Sequence, residues 1–95
     1  MERKPTHPGE IFLKDVLEPL NINITDGAKI LGISRKTLSD FVNEKIALSS
    51  ELAYRIAIAT NTSYESWMLM QLKLTMWNTM QHEPAGVQVG VLEVR

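Results

Sequence analysis

Ser34-Arg35-Lys36-Thr37 sets a hydroxyl directly before two cations and a second hydroxyl. A serine that caps a helix puts the following residues in its first turn. When such a helix end points into a DNA major groove, those side chains reach base edges. Arg35 has the fork geometry to bond guanine O6 and N7 together, whereas Lys36, a point charge, suits a base or a phosphate. Thr37, Ser39 and Asp40 extend the reachable face; Asp40 can accept from cytosine N4 or repel a wrong contact. Asn43 and Lys45 suit the sugar-phosphate backbone, which fixes register without reading sequence.

Other chemistries find little support. His7 and His82 are far apart, with no second histidine or cysteine at ligand spacing, and read as surface or capping residues. The chain has no cysteine, which excludes disulfides and thiolate sites. Nothing resembles a nucleophile elbow, a phosphate-cradling glycine loop or a zinc-protease helix. The expectation is a protein without enzymatic activity, cofactor or metal. Net charge is -1, low for a nucleic-acid binder, but between Lys29 and Lys45 the cations Lys29, Arg35, Lys36 and Lys45 stand against only Asp40 and Glu44.

With 95 residues, 44% of them hydrophobic, the chain can bury one core. No apolar run has the length of a signal peptide or a membrane span, so a cytoplasmic protein is expected. Five helices are predicted, making an all-α fold. The first opens at His7-Pro8-Gly9-Glu10, carries Ile11, Phe12, Val16 and Leu17 inward and ends at Pro19; the polar arm before it needs something else to hold it. Asn23 or Thr25 caps the second, with Ala28, Ile30 and Leu31 buried and Gly32 turning the chain. Small Ala28 lets two steeply crossed helices approach. Ser34 starts the third, with Leu38, Phe41 and Val42 inward.

Ser49 or Ser50 starts the fourth, whose core stripe is Leu52, Ala53, Ile56, Ala57 and Ile58. The fifth, about 64 to 80, has one apolar stripe of Trp67, Met70, Leu74 and Trp77 and another of Leu69, Leu72, Met76 and Met80. A domain this small cannot bury both, so one stripe should meet another chain. Trp67, Met70, Leu74, Trp77 and Met80 are the candidate dimer or partner contacts. Val87, Val89 and Val91 join them, because residues 87 to 94 alternate like a β-strand that has no mate in the chain. The helix-turn-helix domain is assigned to residues 1–83, with its motif at about 24–45, and a C-terminal tail or short strand to residues 84–95.

The five-helix pattern with its helix-turn-helix at the second and third helices resembles the Cro and phage-repressor (Xre) family. Within it, His7-Pro8-Gly9-Glu10-Ile11, Leu17-Glu18-Pro19-Leu20, Ala28 to Ser39 and the Trp67 segment are similar to HigA-type antitoxins of bacterial toxin-antitoxin modules. The resemblance spans about Thr6 to Trp77. It implies a homodimer that binds double-stranded DNA at the operator of its own promoter and neutralises an RNA-degrading toxin encoded beside it. Gly27 departs from the family's helix-forming or apolar residue and should loosen the second helix. Glu44 replaces a glycine and should alter the exit from the third. Ile46-Ala47 replaces cations, so fewer phosphate contacts are expected. The rival reading is a protein-interaction module that keeps the helix-turn-helix only as scaffold, favoured by the near-zero net charge.

Overall fold

The computed structural model describes residues 3–82 and 89–93, with five helices in the first stretch. α1 spans Pro8–Phe12 and continues as a π-helical turn over Leu13–Leu17; α2 covers Ile24–Leu31, α3 Arg35–Val42, α4 Ser50–Thr60 and α5 Tyr64–Gln81. Each start is set by the residue before it. The side chains of His7, Asn23, Ser34, Ser49 and Ser63 accept from the backbone N–H groups of Gly9, Asp26, Thr37, Leu52 and Ser66. Such caps satisfy otherwise orphaned donors and contribute about 1 kcal/mol each relative to alanine. Asn23 rather than Thr25, and Ser49 rather than Ser50, therefore fill the N-cap positions. Left-handed residues close three of the helical segments: Asn21 after the π turn, Gly32 after α2 and Asn61 after α4, with φ of 54°, 70° and 53°.

The π turn is marked by an i to i+5 closure from Glu18 N–H to the Leu13 carbonyl at 2.9 Å, and the segment ends where Ile22 N–H, just past left-handed Asn21, bonds the Leu17 carbonyl at 2.9 Å. Phe12 and Leu17, five residues apart, both face the core. α3 lies against that core through Leu38, Phe41 and Val42, and the Phe12 ring bridges Phe41 at 6.3 Å and the edge of Trp67 at 6.2 Å. The Trp67 indole donates to Thr62 Oγ1 at 2.8 Å, so burying it strands no donor.

Several expectations change. Ala28 is buried as predicted, but Gly27 is buried beside it. A Cβ there would come within 3.0 and 3.1 Å of Leu38 and Leu17 methyl carbons, so this glycine serves the helix crossing and is not merely a weak point of α2. Ile30 and Ile58, expected in the core, are exposed. The two stripes of α5 also separate. Trp67 and Leu74 are only 5% and 3% exposed and belong to the interior, so they cannot serve as a partner surface; Met70 and Trp77 are half-buried. Leu69, Leu72, Met76 and Met80 are 51, 50, 54 and 73% exposed and form the unpartnered face.

The arm before Pro8 finds its hold on this same helix, where the Lys4 ammonium lies 5.8 Å from the Trp77 ring centroid. Of the predicted strand, Val87 and Val94 lie outside the described residues. Residues 89–93 form no strand, and Val89 and Val91 are exposed.

Candidate nucleic-acid interface

The turn between α2 and α3 is three residues, Gly32 to Ser34. Gly32 takes its left-handed backbone at little cost, and its N–H donates to the Lys29 carbonyl at 3.2 Å while Ile33 N–H reaches that of Ala28 at 3.0 Å. Arg55 on α4 clamps the turn from behind. Its Nη1 donates to the carbonyls of Leu31 at 3.0 Å and Gly32 at 3.4 Å, while Nε and Nη2 hold Glu51. An arginine more than twenty residues downstream carries no local signature, so sequence reasoning missed it.

At 3.6 residues per turn, Leu38, Phe41 and Val42 share one side of α3 and Lys36, Ser39, Asp40 and Asn43 the other, with Arg35 and Thr37 on the flanks. Burial agrees: the first three are buried, and Arg35, Lys36, Asn43 and Lys45 are exposed, with Thr37, Ser39 and Asp40 half-buried. The eight candidates thus lie along the outward side of α3, its flanks and its two ends, and several are already engaged. Ser34 Oγ accepts from Thr37 N–H at 3.0 Å and donates to Thr37 Oγ1 at 2.8 Å, which makes it first a cap. Asn43 Nδ2 turns back to the Ser39 carbonyl at 2.8 Å.

Arg35 Nε donates to Thr25 Oγ1 at 3.1 Å. That bond takes one edge of the guanidinium and leaves its Nη donors for a fork-like contact. Thr25, read from sequence as a rival cap, instead steadies the leading cation across the turn. Lys36 and Asp40, one turn apart, form an ion pair at 2.8 Å. Their hydrogen bond, with the attraction of Asp40, holds the Lys36 ammonium above its ordinary value. The same bond holds the Asp40 carboxyl below its own value against the opposing effect of desolvation, and the charges of Lys36 and Lys45 add to the lowering. Both groups are charged at neutral pH. In the free protein Lys36 is therefore already matched to an anion, and DNA has to compete for it.

After α3 the chain leaves through Glu44, whose φ of 61° is the left-handed conformation that a glycine adopts freely. The exit path thus follows glycine geometry despite the substitution, at a cost of about 1 kcal/mol. Lys45 N–H then bonds the Asp40 carbonyl at 2.8 Å. Among the described residues no group of three or more His, Cys, Asp or Glu side chains could hold a metal ion, and no helix is long and apolar enough to cross a membrane.

Residues 13–67 match the Helix-turn-helix family, a span containing the whole α2–turn–α3 unit, α4 and the start of α5. The chain is 32% identical to the uncharacterized HTH-type transcriptional regulator YbaQ of Escherichia coli, over 96% of this chain and 80% of that protein. It is 30% identical to antitoxin HigA-1 of Vibrio cholerae, over 82% of this chain and 73% of that one. Among solved structures, Pseudomonas aeruginosa antitoxin HigA with the higBA promoter superposes with a TM-score of 0.78 at 26% identity, covering 88% of this chain and 96% of that one.

Proposed function

Because the chain belongs to the helix-turn-helix family, we propose that it is an antitoxin and DNA-binding autorepressor: it binds the operator at its own promoter through α3 and neutralises a cognate RNA-degrading toxin. The observation that carries this reading is the outward face of α3, capped by Ser34 and led by the Thr25-steadied Arg35, on a fold shared with an antitoxin solved with promoter DNA. Arg35 is the principal base-reading residue. Lys36, Thr37, Ser39 and Asp40 assist, while Asn43 and Lys45 meet the backbone and Ser34 holds the helix start.

Two protomers are needed, because four cations between Lys29 and Lys45 give a single copy little hold on phosphate. The exposed α5 face of Leu69, Leu72, Met76 and Met80 supplies an apolar surface for that pairing. A two-fold dimer then sets its α3 helices in successive major grooves, about 10 bp apart. Residues 1–83 carry the DNA-binding domain and 84–95 a tail. This reading assigns no enzymatic reaction, and it places the protein in the cytoplasm with its DNA.

A mobility-shift titration with the DNA just upstream of the gene tests the reading. A shift at low salt, lost with scrambled DNA, is expected; no shift even at low salt would favour the interaction-module reading instead. Co-purification with a small basic protein encoded by the neighbouring gene tests toxin binding separately.

A further inference from the structure

His7 stands outside the exposed face of α3, yet it is tied to the loop that leaves it. Its ring is 9% exposed and tilts against Phe41 at a centroid distance of 5.9 Å. Nδ1 accepts from Gly9 N–H at 2.9 Å, and Nε2 lies 3.0 Å from the Ile46 carbonyl, 39 residues away in sequence. A carbonyl only accepts, so the neutral tautomer protonated at Nε2 satisfies both bonds. The ring can approach this closely because Gly9 lets the first turn of α1 lie directly on the Phe41 carbonyl.

We infer that His7 is a positioning residue for DNA binding, holding the loop that presents Lys45 to a phosphate. Lys45 is secured on its N-terminal side, where its own N–H bonds the Asp40 carbonyl at 2.8 Å. On its C-terminal side the tie is the next residue's carbonyl, bonded to His7. With the second tie gone, the backbone between the first bond and buried Leu48 is free to rotate, and the Lys45 side chain loses its fixed approach to the groove edge. The inference rests on the proposed phosphate contact of Lys45, and it adds a determinant of that contact located at the start of α1.

The two ring nitrogens can be separated by substitution. In His7→Asn the amide oxygen stands near the Nδ1 position and keeps the cap, but the side chain is too short for Ile46. In His7→Gln the amide nitrogen stands near the Nε2 position and keeps the Ile46 link, while the cap is lost. The experiment measures Kd on the upstream DNA against salt for the full-length protein, both variants, Lys45→Ala and the His7→Asn/Lys45→Ala double variant, with a thermal melt of each.

Lys45→Ala should flatten the slope of log K against log salt by about 0.9 per protomer. His7→Asn should flatten it toward the same value with its melting temperature nearly kept, and the double variant should match Lys45→Ala alone. His7→Gln should melt lower yet keep the wild-type slope. A wild-type slope in His7→Asn, losses that simply add in the double variant, or slopes that follow melting temperature across the set would overturn the inference. An unchanged slope in Lys45→Ala would instead refute the phosphate contact itself, and the role of His7 with it.

Discussion

Gly9→Ala should be among the most damaging single-methyl changes available in this protein. The added Cβ would stand 1.9 Å from the Phe41 carbonyl oxygen and 2.8 Å from its carbon, where ordinary contact begins at 3.4 Å. The two backbones must therefore part by about 1.5 Å. No flexible side-chain end can yield instead, because the obstacle is the main chain of α3, whose Phe41 carbonyl also accepts from Glu44 N–H at 3.0 Å. A gap of even 0.5–1 Å forfeits roughly a quarter to a half of the dispersion energy across it. This seam contains the Phe12–Phe41 contact and the His7–Ile46 bond.

Overpacking in a core costs about 1–3 kcal/mol and occasionally more, and a backbone clash belongs at the upper end. Alanine's better helix propensity returns about 1 kcal/mol, so the net loss should be about 2 kcal/mol. For a domain of this size that lowers Tm by roughly 8–16 °C, read by far-ultraviolet circular dichroism. An unchanged or raised Tm would refute the close approach, because without the clash the same substitution is stabilising.

Other substitutions separate the remaining parts of the account. Gly27→Ala meets only the methyl carbons of Leu38 and Leu17, at 3.0 and 3.1 Å, which can yield by tenths of an ångström; thermal melting should put it within about 1 kcal/mol of wild type. Asp40→Asn removes an anion and releases Lys36 from its 2.8 Å pair. Salt titrations on scrambled DNA, where no base contact of Asp40 is at stake, should show tighter binding and a slope steeper by up to about 0.9 per protomer, and weaker binding there would contradict the competition described for Lys36. Since the Asp40 carboxyl is held below its ordinary value, the pair persists above that lowered value and is lost only as pH falls through it. Binding near neutral pH should therefore show no dependence from this pair. Leu72→Glu places a charge on the exposed stripe of α5; light scattering should report monomers and DNA affinity should fall, whereas a dimer of wild-type strength would move the interface elsewhere.

What could be read from the sequence follows the range of the interactions. Asn23, Ser34 and Ser49 act within three residues of themselves, so cap chemistry located the start of α3 and narrowed those of α2 and α4 to two candidates each. The inward set of α3 followed from helical period, and the outward placing of Lys36, Ser39, Asp40 and Asn43 followed with it. The packing role of Gly27 has no local signal, because its reason lies in methyl groups of Leu17 and Leu38, on either side of it in the chain. Ile30 and Ile58 show that an apolar side chain at helical spacing need not face the core when small residues such as Gly27 and Ala28, or Ala53 and Ala57, already fill the contact. On α5, periodicity revealed two apolar stripes but not which one meets the domain. Phe12 and Thr62 decide that by receiving Trp67. Thr25, Arg55 and His7 act on partners 10, 24 and 39 residues away, and no spacing rule points to them.

The central claim is that α3 reads bases with Arg35 in the lead. Its most direct test is the affinity of wild type and Arg35→Ala for a set of operators in which every half-site position is changed in turn. The account predicts that wild type loses about 1–3 kcal/mol at the position Arg35 reads in each half-site, and that Arg35→Ala binds the intact operator more weakly and loses discrimination at that position alone. The same pattern of base preference in both proteins would contradict it.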